Sequence, residues 1–152
     1  MPSEIDWAAK LRQRHAKILK ARAPMFRLSD KSKVKLCGVN HDLVRVVEKC
    51  MDDAQPGDDD FMVGEGVRTL ERQRELVAAG KSQTMASRHL TGDAVDLWVL
   101  GADGKVTWDM AKYRRLAERM KEAARALGVA IEWGGNWRTL KDGPHFQLPR
   151  SA

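Results

Sequence analysis

The chain has 152 residues, of which 43% are hydrophobic and 32% charged, with a formal net charge of +6. That composition fits one soluble globular domain long enough to bury a core. It leaves no run of roughly 18 apolar residues for a membrane span, and the N-terminus lacks the basic-then-apolar order of a secretion signal. The charge is uneven: residues 1–35 hold ten Lys/Arg against three Asp/Glu, and residues 36–152 hold seventeen against eighteen.

Residues 4–22 space Ile5, Ala8, Leu11, Ile18 and Leu19 as one face of a basic amphipathic helix. Such a helix suits an anionic surface, with docking on the body as the alternative; His15 reads as a surface residue. Pro24 and the polar run 29–33 read as a linker, so that a basic arm over 1–35 precedes a domain over 36–152. Asn40 is placed to cap a helix with Leu43, Val46, Val47, Cys50 and Met51 on one face and His41 exposed in its first turn. Cys37 and Cys50 form no metal or redox spacing and read as buried, inert thiols.

Residues 55–60 read as a turn, 61–67 as a strand ending at Arg68-Thr69, 70–79 as a helix closed by Gly80, and 81–84 as a loop. Ala94–Leu100 is apolar and β-branched, the mark of a buried strand, and 101–104 is a turn. The longest helix is expected over 108–127, with Met110, Tyr113, Ala117, Met120, Ala124 and Leu127 as its buried stripe and Gly128 as its stop. A short strand over 129–133 and a turn over 134–137 follow. Residues 142–148 begin as a turn and become a strand, with His145 and Gln147 on one side and Phe146 and Leu148 on the other. Helices and strands mix without a regular βαβ alternation, which predicts an α+β fold with a small, mainly antiparallel sheet.

Asp96 lies inside the expected strand 94–100, and an unpaired buried carboxylate costs several kcal/mol or more. A divalent metal is one natural partner. His89, seven positions earlier across Gly92, offers a nitrogen ligand, and His145 offers a third. Three protein ligands leave one tetrahedral position open for water, the arrangement of catalytic zinc, here one ion per chain. Asp142, three residues before His145 across a Gly-Pro turn, is placed to act as a general base, with Glu132 the next candidate. The chain shows no carboxylate pair of the kind a glycosidase uses.

The pattern Ser87-x-His89-x-x-Gly92-x-Ala94-x-Asp96, with a late Asp142-x-x-His145, resembles the zinc peptidases that include D-Ala-D-Ala carboxypeptidases and L-alanyl-D-glutamate endopeptidases. Residues 66–73, 80–82, 132–137 and 143–147 are similar to the phage endolysin branch, and the resemblance spans roughly residues 38–149. It implies a Hedgehog-like α+β fold and an endolysin, a zinc endopeptidase that cuts the L-Ala–D-Glu bond of peptidoglycan stem peptides in host lysis. It carries over His89, Asp96 and His145 as zinc ligands and Asp142 as the base that later protonates the leaving amine. Arg68 matches the arginine that holds the scissile carbonyl oxygen as negative charge develops. Ser87 is expected to support the site through hydrogen bonds, and Gln73, Ser82 and Trp133 to wall the substrate, with a plain core position as the equal alternative for Trp133. Residues 1–35 match no motif of the family.

Two rivals share the fold: a D-Ala-D-Ala carboxypeptidase and a non-catalytic zinc-binding domain. A nucleic-acid-binding role is disfavoured by the near-neutral body and the lack of a recognisable motif. The reading is of a monomer, made in the host cytoplasm without a signal peptide and acting on the cell wall after release.

Overall fold

In the computed structural model, residues 7–21 and 26–150 are described, the side chains of 15–21 excepted. The elements run α1 (Trp7–Ala21), α2 (Asp30–Lys35), α3 (His41–Asp52), β1 (Asp60–Glu65), α4 (Leu70–Ala78), β2 (Ala94–Leu100), α5 (Met110–Leu127), β3 (Glu132–Trp133) and β4 (His145–Gln147). Two short 3-10 helices, Arg88–Thr91 and Gly134–Asn136, lie between them. Residues 4–6, with Ile5, and Arg22 and Pro24 lie outside the described residues, as do the side chains of His15, Ile18 and Leu19. No helix among the described residues is long and apolar enough to cross a membrane.

Helical spacing and caps account for the long helices. Asn40 accepts from the backbone N–H of Asp42 at 3.0 Å and starts α3, whose Leu43, Val46, Val47, Cys50 and Met51 are all buried. Asp109 caps α5 in the same way, and Gly128, at φ +69°, ends it. The buried stripe of α5 (Tyr113, Leu116, Ala117, Met120, Ala123 and Ala124) meets that of α3 over one face of the sheet. Phe61, Val63, Val95, Leu97, Val99 and Phe146 complete this core from the strands. Fully burying a side chain of this size stabilises by about 1.5–3 kcal/mol.

The sheet order is β1-β2-β4-β3, with every pairing antiparallel. Strand alternation sends the odd-numbered apolar residues of β2 into the core, and Asp96 and Trp98 to the opposite face. The register then sets Asp96 opposite Glu65 on one side and His145 on the other, and Gln147 opposite both Ala94 and Glu132. Two polar rows thus cross the face that the helices leave open.

Several elements differ from expectation. The run 29–33 is not a linker: Asp30–Lys35 is helical, and the buried Ser32 hydroxyl accepts the backbone N–H of Val63 at 2.9 Å. Phe26 and Leu28 pack against the core, so the end of segment 1–35 is built into the body. The strand expected over 129–133 shrinks to Glu132–Trp133, while Val129 and Ile131 pack on the core outside the sheet. Trp108 precedes α5 and is exposed. Cys50 is buried, but Cys37 is exposed. Burial pushes the Cys50 thiol up to about 12, against the pull of Arg119. Since the thiolate is the reactive form, iodoacetamide should alkylate Cys37 in the native protein and spare Cys50. Mass spectrometry should show a single adduct until the chain is unfolded, when a second appears.

Candidate metal centre and its cleft

Three segments deliver the ligands. Ser87 accepts from the His89 backbone N–H at 3.3 Å and starts the 3-10 helix Arg88–Thr91, which Gly92 closes at φ +77°. A Cβ at Gly92 would lie 2.6 Å from the carbonyl oxygen of Gly38, so both the dihedral and the space require glycine. The buried His89 Nδ1 lies 2.8 Å from the carbonyl oxygen of Gly66, which can only accept, so Nδ1 carries the hydrogen. Nε2 is thereby left as the free acceptor, 3.2 Å from Asp96 Oδ1. On β4, His145 points its Nδ1 at the same oxygen, at 3.3 Å.

The ligand atoms of His89, Asp96 and His145 all lie within 4.8 Å of one another. A tetrahedral zinc ion with bonds of about 2.0–2.1 Å implies ligand–ligand edges of about 3.3 Å. The two histidine–aspartate distances match that edge, and the donor set of two nitrogens and one oxygen suits the ion. Burial opposes ionisation of Asp96, but the neighbouring His145 and His89 outweigh it and hold the carboxyl well below the usual carboxylate range.

Asp142 sits beside this cluster because the chain crosses itself at Gly134. The Asp142 N–H donates to the Gly134 carbonyl at 3.0 Å, and a Cβ on Gly134 would lie 2.5 Å from the Asp142 carbonyl oxygen and 3.0 Å from His145 Cβ. Burial, joined by the charge of Asp96, raises the Asp142 carboxyl above the ordinary range. Arg68 is only 9% exposed. Glu65 takes its Nε and Nη2 groups at 2.7 Å each, and Gln73 Oε1 accepts from Nη1 at 2.7 Å. The Nη2 edge remains turned to the cluster, 3.9 Å from Asp96 Oδ2.

These groups share a cleft of about 710 Å³. Leu76, Ser82 and Thr84 form one wall, and Trp137, Leu140 and Lys141 the other. Of the residues expected in the site, His89, Asp96, His145, Asp142, Arg68, Ser82 and Ser87 all line it. Two do not. Gln73 is wholly buried and acts behind the wall, holding Arg68 while its amide nitrogen donates to Ser82 Oγ at 2.8 Å. Trp133 is a core residue, its indole covered by Gly135 and its Nε1 donating to the Gly143 carbonyl at 2.7 Å. The sequence reading missed Glu65, whose only signal was its i,i+3 spacing to Arg68, and Trp137, whose ring lies 4.9 Å from that of His145.

The fold and the cleft define an α+β domain whose two-histidine, one-aspartate cluster could hold a metal ion and lines the cleft. By its sequence over residues 24–148, the chain belongs to the phage L-alanyl-D-glutamate peptidase family. It is similar to the L-alanyl-D-glutamate peptidase of Listeria phage A118, with 38% identity over 66% of this chain and 34% of the relative. It is also similar to the peptidoglycan L-alanyl-D-glutamate endopeptidase CwlK of Bacillus subtilis, with 30% identity over 59% of this chain and 60% of the relative. The chain thus matches about a third and three-fifths of the lengths of these two proteins. Among solved structures it resembles the L-Ala D-Glu endopeptidase ChiX of Serratia marcescens, with a TM-score of 0.74 and 48% identity over 82% of this chain and 90% of that one.

Replacing Glu65 would leave the Arg68 guanidinium buried without its carboxylate. Glu65→Ala should lower unfolding stability by about 1–3 kcal/mol, the usual cost of an unsatisfied buried donor, as read from the denaturant midpoint.

Proposed function

We propose that the chain is a zinc endopeptidase that hydrolyses the L-Ala–D-Glu bond of peptidoglycan stem peptides, the endolysin reading. The observation that carries it is the meeting, in one cleft, of a three-ligand cluster, a desolvated carboxyl and a braced arginine. Family membership supports the bond, since the relatives described above are all named for L-alanyl-D-glutamate cleavage.

His89, Asp96 and His145 would hold one zinc ion. Zinc at such a site supplies Lewis acidity towards a carbonyl and lowers the pKa of water towards neutrality. Asp142 takes the proton from the attacking water and returns it to the nitrogen of the departing D-Glu, general acid–base work of the kind a raised carboxyl pKa suits. Arg68 presents its Nη2 edge to the scissile carbonyl oxygen as negative charge grows there; Glu65 and Gln73 hold the guanidinium in place beforehand. Ser82 and Ser87 offer hydroxyls along the wall to the peptide backbone.

The basic arm belongs to the same reading. Trp7 and Leu11 of α1 are 70% and 61% exposed, and the positive excess of the chain lies within residues 1–35. An arm of this kind gathers enzyme onto the phosphates and carboxylates of a bacterial envelope.

Three measurements test these assignments. Metal analysis should find one zinc per native chain and a large loss in His145→Ala; full occupancy in that variant would remove His145 from the ligand set. Asp142→Ala should keep its zinc and lose about 10²–10⁴-fold in turnover. With the native protein, mass spectrometry of digested peptidoglycan reads the reaction: new amino termini on D-Glu are expected, whereas free D-alanine as the sole product would favour the carboxypeptidase. A chain beginning at Pro24 should cleave a soluble stem peptide at nearly the native rate and intact envelopes more slowly. That gap should narrow with salt, because exposed charges are screened beyond about 8 Å at physiological ionic strength.

A further inference from the structure

On the open face of the sheet, the row next to the ligands carries a hydrogen-bonded chain that begins at an exposed carboxylate and ends on a ligand ring. Glu132 Oε2 accepts from Gln147 Nε2 at 2.9 Å, and Gln147 Oε1 faces His145 Nε2 at 2.8 Å. The chemistry of each atom fixes its direction. A carboxylate only accepts, so the Gln147 amide must turn its NH₂ to Glu132 and its oxygen to His145. That oxygen also only accepts, and at 2.8 Å it is nearer than Asp96 Oδ1 at 3.3 Å, so in the neutral ring that a metal ion would engage His145 Nε2 carries the hydrogen. The lone pair is then on Nδ1, the atom aimed at Asp96 Oδ1. The two histidines therefore offer different atoms, His89 its Nε2 and His145 its Nδ1, each set by the acceptor behind it.

We infer that Glu132 and Gln147 are positioning residues for the metal centre, which select the tautomer and the ring orientation that make His145 a ligand through Nδ1. This rests on the zinc reading above. The pair comes from the antiparallel register: Glu132 and Gln147 are direct partners across β3 and β4, and Gln147 lies two residues from His145, hence on the same face. Acceptors behind a ligating imidazole commonly contribute 10–100-fold in metal affinity. The competing explanation is that Trp137, ring to ring with His145, and the fit of β4 into the sheet hold the imidazole unaided. Under that view Gln147, which also lines the cleft, would act on substrate alone.

The test reads zinc affinity by competition with a chromophoric chelator, and the His145 tautomer by nitrogen NMR of metal-free protein above the imidazole titration range. Gln147→Leu should weaken zinc binding by about 10–100-fold and lose the preference for hydrogen on Nε2. Glu132→Ala, a change at an exposed position, should shift both readouts the same way by less, and stands in should Gln147→Leu fail to fold. Glu132→Gln combined with Gln147→Glu exchanges donor and acceptor between the two positions and still presents an oxygen to His145. That double variant should bind zinc within about threefold of native, below the range a lost outer partner produces. Native affinity and an unchanged tautomer in both Gln147→Leu and Glu132→Ala would overturn the inference. Were native protein to bind no zinc, the metal reading would fall, while the tautomer shift in the variants would still decide whether the pair orients His145.

Discussion

A carboxylate held in the middle strand of a four-stranded sheet is the constraint from which the rest of the site follows. Asp96 is 16% exposed and lies between two other strands, so its charge can be tolerated only where cations or polarised N–H groups converge on it. The Arg68 guanidinium lies 3.9 Å from it, and an imidazole nitrogen from His89 and one from His145 stand 3.2 and 3.3 Å away, leaving a place that a metal cation would suit. They come from three places in the chain: the 3-10 helix, β4 and the turn after β1. Their agreement depends on the antiparallel register that puts Glu65, Asp96 and His145 in one row. A slip of one residue would send Asp96 into the helix-covered core and Leu97 to the open face.

Two carboxyls close in space are driven in opposite directions by their surroundings. Asp96 is kept ionised by the histidines, despite its burial. Asp142 is raised by burial and then by the charge of Asp96, with His145, His89 and Arg68 only partly offsetting this. Environment alone thus parts two groups of the same chemistry. Gly134 underlies the arrangement, because only a residue without a side chain lets Asp142 and the start of β4 come together over it.

Much of this was legible in the sequence where local signals are strong. The strand 94–100 and the helix begun by Asn40 were read at their observed positions, because alternation and a cap leave few alternatives. The meeting of His89, Asp96 and His145 was legible for a related reason, since a charged residue inside an apolar strand advertises a partner. Helix α2 was not, because Asp30–Lys35 has no apolar stripe and is tied to β1 by polar contacts, the Ser32 hydroxyl to Val63 and the Lys35 ammonium to the Gly64 carbonyl. Nor were the roles of Gln73 and Trp133, which depend on what lies behind the cleft wall. The irregularity between Val63 and Glu65 lies just before the Glu65–Arg68 pair, and such a shift of register leaves no mark in a sequence.

The cleft has a floor and walls of different origin. The floor is strand and 3-10 helix, tied by backbone hydrogen bonds such as Arg68 N to His89 O and Asn40 N to Gly92 O. Most of the lining above it, residues 81–87 and 137–141, lies outside every helix and strand, with Leu76 of α4 the exception. Changes there leave the register beneath untouched. Exchanges at positions such as Leu140 and Lys141 can therefore reshape what the cleft admits while the Glu65–Asp96–His145 row at its floor stays as it is.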